Sequence, residues 1–352
     1  MTKLQKNMIS RRDRFRNLTF SDIMDYMMQK AIFIVLLGLL VTIIIIDPDF
    51  VSINNFKNIL SQSSTRIIMA LGVGGIIVAK GTDLSLGRQV GLAAVVSASL
   101  LQKADYAYKM YPDLPVLPII VPIILVMLIT AGFSLINGIV VAKFKVDPFI
   151  ATLGMMVIVY GVNSIYFDRP PYGAQPIGGL DERFTRFAQE SVDIFGVNIP
   201  LLMIYAAVVT VIVWVLWNKT KFGKNIFAIG GNQEAAIVSG VNVVKYLLLV
   251  YMFAGLLYGF GGALEAARIG SATNNTGNMY ELDAISACIV GGLSFSGGRG
   301  TVSGIVTGVL IFQVIAYGLT FIGVNPYWQF IIKGLIIISA VAIDNRKFIK
   351  KK

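Results

Sequence analysis

Histidine is absent from this 352-residue sequence, and cysteine occurs once, at Cys288. No intramolecular disulfide can form, and no metal site of the Cys/His type can be assembled. The usual general base is missing too, so an enzyme would have to rely on carboxylate or lysine chemistry. Charge is scarce: Asp, Glu, Lys and Arg make up 14% of the residues, against about a quarter in a soluble domain. A phosphate loop is also lacking. Gly223-Lys224 is followed by Asn225, and the glycines between Gly291 and Gly308 precede no Lys-Ser/Thr pair. The chain therefore brings no nucleotide-hydrolysing motif or cofactor site, and its small residues at helical spacing suit close helix approach in lipid.

What is present is apolar. Hydrophobic residues form 56% of the chain, in unbroken runs such as Ala31 to Ile46. A transmembrane β-barrel would show short alternating segments instead. The expected fold is all-α: a polytopic membrane protein of about ten transmembrane helices, some short or broken. The spans are expected near 31–46, 66–79, 89–101, 118–142, 149–166, 200–217, 246–267, 283–293, 301–322 and 327–343. Several of them fall below the ~20 residues of a full crossing, and 66–79, 89–101 and 283–293 are the doubtful ones. Gly- and Ser-rich flanks mark these three as broken or re-entrant helices inside the bundle. Residues 1–30, basic and then amphipathic, are expected to lie at the cytoplasmic interface, 31–343 to form the transmembrane domain and 344–352 a basic cytoplasmic tail.

The net charge of +11 sits at the chain ends and between alternate spans. That placement fits membrane topology and anionic lipid headgroups, not nucleic acid. Placing Lys80, Arg88, Lys143, Lys145, the loop around residue 220 and Arg299 inside leaves Asp47, Asp49, Asp105, Asp113 and the 168–193 loop outside, with both termini cytoplasmic. A faint internal echo links Gly81-x5-Gly87-x3-Gly91 with Ser294-x5-Gly300-x3-Gly304, the kind of paired glycine-interrupted segment found around a central pathway.

A long polar, basic interruption runs from Thr220 to Val243, carrying Lys221 and Lys224 against the single acid Glu234. Asn232 after Gly230-Gly231 is a cap signal for a short helix over about 233–239, which Gly240 ends. The positions Thr220, Phe222, Gly223, Ala228, Gly230, Asn232, Ala235, Ala236, Ser239 and Gly240 follow the coupling-loop motif of bacterial sugar-importing ABC permeases of the ribose/galactose type, and the chain resembles that family. The likeness extends to Gly81–Gly87, to Tyr280–Ile285 with Gly291-Gly292, and, for the galactose/methyl-galactoside subgroup, to Gly270–Asn275 and Gly323–Gln329. Gln233 and Ile237 depart from that subgroup, which tends to proline and lysine there.

The resemblance implies an ABC importer permease fold without enzymatic activity, in the bacterial inner membrane. It further implies two copies of the chain, a cytoplasmic ATP-binding subunit and a periplasmic sugar-binding protein as partners. It assigns Asn232, Gln233, Glu234, Ala235, Ala236, Ser239 and Gly240 to ATPase coupling. On the outer side Glu265, Arg268, Glu281 and Asp283 flank a polar stretch where a binding protein would dock, or where the acids cap the next helix. Candidates for a gate or path are Asp83, Ser85, Asn137, Tyr160, Asn163, Gln313 and Tyr317, since sugar hydroxyls need polar partners and a pyranose face favours aromatics. Each could instead bond between helices, and Asp83 in Gly-x-Asp-x-Ser-x-Gly reads more readily as turn chemistry. Two further functions stay open: an ion-coupled secondary transporter relaying through Asp83, Glu265 or Asp283, and a membrane-embedded transferase using paired carboxylates.

Overall fold

The computed structural model describes residues 36–169, 173–194, 196–325, 327–332, 334–335 and 338–339. The expected interfacial segment 1–30 and the tail 344–352 lie outside these described residues. The chain is helical nearly throughout. In order come α1 (Leu36–Ile46), a 3-10 turn at Pro48–Phe50, α2 (Ile53–Val78), α3 (Leu86–Leu100), α4 (Ile120–Ala142) and α5 (Pro148–Phe167). A short α6 (Glu182–Gln189) and a hairpin of β1 (Ser191–Ile194) and β2 (Val197–Pro200) follow. Then come α7 (Leu201–Lys219), α8 (Lys221–Gly231), α9 (Gln233–Val238), α10 (Val243–Ile269), α11 (Tyr280–Val290) and α12 (Val302–Phe321). Residues 327–332 are again helical. Among the described residues, six helices (α2, α4, α5, α7, α10 and α12) are long and apolar enough to cross a membrane.

Two of these six form the centre. The most apolar stretch of α2 is 83% buried and that of α10 is 61% buried, against 22% for α5 and 28% for α7. Surrounding helices turn exposed Val, Ile and Leu outward, as lipid requires. The two inner helices are rich in glycine and alanine, so α3 and α4 pack directly on α10, and α11 and α12 on α2.

The second expected span was placed at 66–79. In the structure α2 begins at Ile53 and runs for 26 residues, about 39 Å. Ser52 caps it by accepting from the Asn55 amide at 3.3 Å. Its first half carries Asn54, Asn55, Lys57, Asn58 and Gln62, which mask the span to a hydropathy reading.

The short helices α3 and α11 are the broken elements the sequence suggested. After α2 ends, Lys80 takes a left-handed φ of 66° and residues 81–85 run back to α3 without helix. From the opposite end, Ala272 pairs with Ile177, near the level where Gln102 pairs with Leu180. The chain then descends along α3 until Gly277 lies against Gly87, most of the ~22 Å length of α3. Both glycines are needed at this contact, because a Cβ on either would strike the other's backbone. The first turns of α3 and α11 thus meet deep in the bundle, with the Glu281 carboxylate against Gly87, where a negative charge suits a helix N-terminus.

Arg88 was grouped with Lys80 by charge. It stands instead with the descending segment: Nη2 donates to Asn278 Oδ1 at 2.7 Å, and its guanidinium lies 4.4 Å from the Tyr160 ring centroid. The α3 backbone, already turned toward the other end of the bundle, carries it there.

Candidate coupling surface and translocation sites

At one end of the bundle α8 and α9 form a corner. Thr220 caps α8 by accepting from the Phe222 amide at 3.2 Å. Asn232 caps α9 by accepting from the Ala235 amide at 3.0 Å. Gly240, with φ of 80°, ends it. On this six-residue helix only Ala236 faces the protein, 3% exposed, whereas Ile237 and Val238 are 55% and 89% exposed. Two large aliphatic side chains standing free on a capped helix make a surface suited to a partner.

The corner is fixed to the core by backbone contact. Gly230 lies against the Val78 carbonyl at the end of α2 and against the Gly298 amide. That amide donates to Val78 O at 2.8 Å. A side chain at Gly230 would fill the space both occupy. α8 thus meets the end of α2 and the 291–301 loop backbone to backbone, with no side chain between them.

Of the sequence-expected path residues, Asp83, Ser85 and Asn137 converge in a knot inside the bundle, each 0–1% exposed. Asp83 Oδ1 accepts from the Ser85 amide at 2.9 Å and from Ser85 Oγ at 2.5 Å, an Asx turn. Ser85 Oγ in turn accepts from Gln89 Nε2 at 2.8 Å and Asn137 Nδ2 at 3.0 Å. Ser134 Oγ donates to Gln89 Oε1 at 3.0 Å. The knot ties the entry of α3 to α4 and presents no surface to a passing solute. Asn163, 1% exposed, sits over the descending segment, its Nδ2 3.5 Å from Asn274 O. Tyr160, 42% exposed, supports Arg88.

Gln313 and Tyr317 lie elsewhere, on α12 facing α2. Gln313 Nε2 donates to Gln62 Oε1 at 2.8 Å. Tyr317 Oη donates to Asn55 Oδ1 at 2.8 Å and accepts from Asn58 Nδ2 at 3.2 Å.

The four expected docking residues do not form an exposed patch. Glu265 is fully buried. Its Oε1 accepts from Arg268 Nη2 at 2.8 Å and from Tyr280 Oη at 3.0 Å, and its Oε2 from Thr65 Oγ1 at 2.8 Å. Glu281 is 7% exposed and occupies the Gly87 contact. Asp283 stands 3.6 Å from Arg66 Nη1, and Arg66 lies over the Tyr280 ring at 3.2 Å from its centroid. A carboxylate inside an apolar bundle needs such partners, so these charges hold α2, α10 and α11 together.

A family described as "branched-chain amino acid transport system / permease component" matches residues 55–341. The chain belongs to this family. It is a transport subunit, not an enzyme. The permease is 60% identical to the galactose/methyl galactoside import permease protein MglC of Escherichia coli over 94% of its own length and 97% of that relative. The Haemophilus influenzae protein of the same name is 58% identical, over 93% of this chain and 97% of the relative. The ribose import permease protein RbsC of Bacillus subtilis is 36% identical, over 92% of this chain and 95% of the relative. No solved structure matches.

Three features of the permease escaped the sequence reading. One is α8, hidden because Gly230-Gly231 reads as a turn; a Lys221-to-Gly231 helix is apolar on one side (Ile226, Ile229) and that spacing was the available signal. Another is Arg66, which meets both Asp283 and Tyr280 yet looks in the sequence like a boundary charge. The third is the outer cap of α6 and the β-hairpin. Asp181 caps α6, and hydrogen bonds from Arg183 hold its carboxyl below the usual range. Phe184 and Ala188 turn inward four residues apart.

Proposed function

We propose that this permease is the membrane-spanning subunit of an ATP-driven importer of galactose or methyl galactoside in the bacterial inner membrane. The observation that carries the substrate is the contrast in identity: 60% to a galactose/methyl galactoside permease, 36% to a ribose permease. Two copies form the path. A cytoplasmic ATP-binding subunit grips Asn232–Gly240, and a periplasmic sugar-binding protein delivers solute to the opposite end, where residues 101–118, 173–194 and 270–279 gather. Both termini are cytoplasmic.

ATP-driven closure of the partner pushes on Ile237 and Val238. The thrust passes through Gly230 to the end of α2 and to the 291–301 loop, and tips a two-state bundle between its two openings. The exposed aliphatic pair on α9 and the backbone contact at Gly230 support this route. Arg268, partly exposed in the last turn of α10, is the remaining candidate among the four for contact with the delivering protein.

The test is reconstitution with the ATPase and binding protein in liposomes, followed by ATP-linked uptake of galactose against ribose. Galactose preference is expected, and Gly240→Pro should abolish coupled uptake by spoiling the end of α9. Protonophore-sensitive, ATP-independent uptake by the permease alone would replace this reading with ion-coupled transport.

A further inference from the structure

Along α2, Asn58, Gln62 and Arg66 recur every four residues, so they share one face over about 12 Å. Each has a polar counterpart across the helix interface: Tyr317 and Gln313 on α12, then Asp283 at the start of α11. We propose that this ladder is the protomer's wall of the translocation path. Its two deeper rungs, Gln62–Gln313 and Arg66–Asp283, bind the hydroxyls of a neutral pyranose against the ring of Phe312. The nature of the solute rests on the function proposed above; the wall itself does not.

The first argument is exclusion of lipid. The ladder lies midway along α2 and α12, yet Arg66 and Asp283 each keep 21% of their side-chain surface exposed. On α7, by contrast, every exposed residue from Met203 to Val215 is apolar, such as Val208 at 52%. Ionisable groups at mid-bilayer face water or protein, because hydrocarbon leaves them unsolvated.

The second argument is the chemistry of the cleft between α2, α11 and α12. It is lined by Arg66, Asp283 and Gln313 together with Phe312, Val309 and Ala287. Arg66 Nη1 makes no hydrogen bond and is closed off as the cleft stands, 3.6 Å from Asp283 Oδ2, so its donor is unspent and becomes reachable when the cleft opens. A hydroxyl both donates and accepts and can therefore bridge a cation, an anion and amides, while Phe312 suits the C–H face of a ring. A charged solute would break the Arg66–Asp283 pair, whereas a neutral one leaves it intact. The third argument is size. The cleft's own volume is ≈ 30 Å³, room for a water or two and far short of a sugar. One protomer supplies half a site, and the facing wall of the second copy completes it. The knot around Asp83 gives the contrasting case: it is closed off, its residues 0–1% exposed, and the one carboxylate oxygen left without a partner there, Asp83 Oδ2, has no opening beside it.

Cys288 is fully buried, so single introduced cysteines report cleanly in the assembled, reconstituted transporter. Gln313→Cys and Gln62→Cys should react with a charged, membrane-impermeant methanethiosulfonate reagent, and saturating galactose should slow the reaction. Val208→Cys, facing lipid, should react only with an apolar maleimide. If Gln313→Cys behaves like Val208→Cys, or resists both reagents, the wall is wrong. A second measurement addresses hydroxyl contact. With the same binding protein throughout, Gln313→Leu should lower the ratio of galactose to 2-deoxygalactose uptake by about fivefold, since lost hydrogen bonds remove discrimination. A total uptake that falls at constant ratio would overturn the contact role. A wild type that carries ribose and not galactose would sink the substrate assignment, and the labelling result would still decide the wall.

Discussion

The knot around Asp83 and the ladder along α2 both bring amides, hydroxyls and a carboxylate into an apolar bundle. The first closes on itself; the second stays open on one side. In the knot, Ser85 Oγ alone serves Asp83, Gln89 and Asn137, and nothing there exceeds 1% exposure. In the ladder the Gln62–Gln313 contact is a single pair, Tyr317 and Arg66 have two partners each, and Arg66 and Asp283 keep part of their surface. Buried networks of the first kind specify one arrangement of the helices they join. Open pairs of the second kind can take on a solute hydroxyl while keeping their own contact. The comparison separates residues that hold the entry of α3 from residues available for transport.

The largest expected effect comes from breaking the knot. Ser85→Val removes the shared oxygen and strands Gln89 Nε2 and Asn137 Nδ2 in a dry site, at roughly 2–4 kcal/mol. Thermal unfolding in detergent should show a clear fall in the melting temperature, with uptake lost in parallel with folded protein. An unchanged melt would mean the knot is not structural. On the coupling surface the opposite pattern is expected. Val238→Ser touches a side chain 89% exposed, so stability should stay within ~0.5 kcal/mol. ATP hydrolysis stimulated by loaded binding protein should nevertheless fall about tenfold, as for loss of an interface anchor worth ~1.4 kcal/mol. Retained stimulation would remove α9 from the coupling route.

Gln313→Leu ranks third and sharpens the comparison most directly. Gln62, half-exposed, loses its partner but keeps access to water, so the stability cost should stay below ~1 kcal/mol, while uptake drops severalfold. Melting and transport are then uncoupled in the ladder and locked together in the knot. If Gln313→Leu destabilises as much as Ser85→Val, the two regions are alike and the distinction fails.

How much of this was legible in the sequence depended on the range of the interaction. Asn232, Gly240 and α9 were readable because a cap and a left-handed stop act within six residues. The Asp83 turn was readable for the same reason, as Gly-x-Asp-x-Ser-x-Gly contains both partners. Its convergence with Asn137 and Ser134 was not, since those come from α4, some fifty residues on. Arg66 is unreadable as a path residue because its meaning depends on Asp283, and Asp283 reads as an outer charge in a sequence that does not show α11 starting deep in the bundle. The same descent moved Glu265 and Glu281 from an expected docking patch to buried positions. Hydropathy located the lipid-facing helices α4, α5 and α7 well. It failed on α2, whose polar first half is tolerated because that helix sits inside the bundle.

The smallest expected effect lies on the outer cap, where polar pairing is of a third kind, open to water on all sides. Lys103 Nζ donates to Glu182 Oε1 at 3.0 Å, and both side chains are well exposed, 43% and 66%. That hydrogen bond and charge hold the Glu182 carboxyl below its usual range. A carboxyl with a lowered pKa in the folded state stabilises the fold above its unfolded pKa and loses the contribution as pH falls through the folded value. The contribution should therefore be complete at neutral pH and vanish only in acid. Water and salt screen such a pair to little net value. Lys103→Ala should shift neither the melting temperature at pH 7 nor coupled uptake beyond experimental error, and raising the salt concentration should erase any residual difference. A Lys103→Ala defect that matched Gln313→Leu would show that the outer cap transmits force, and that exposure alone does not sort the permease's polar contacts into structural and functional ones.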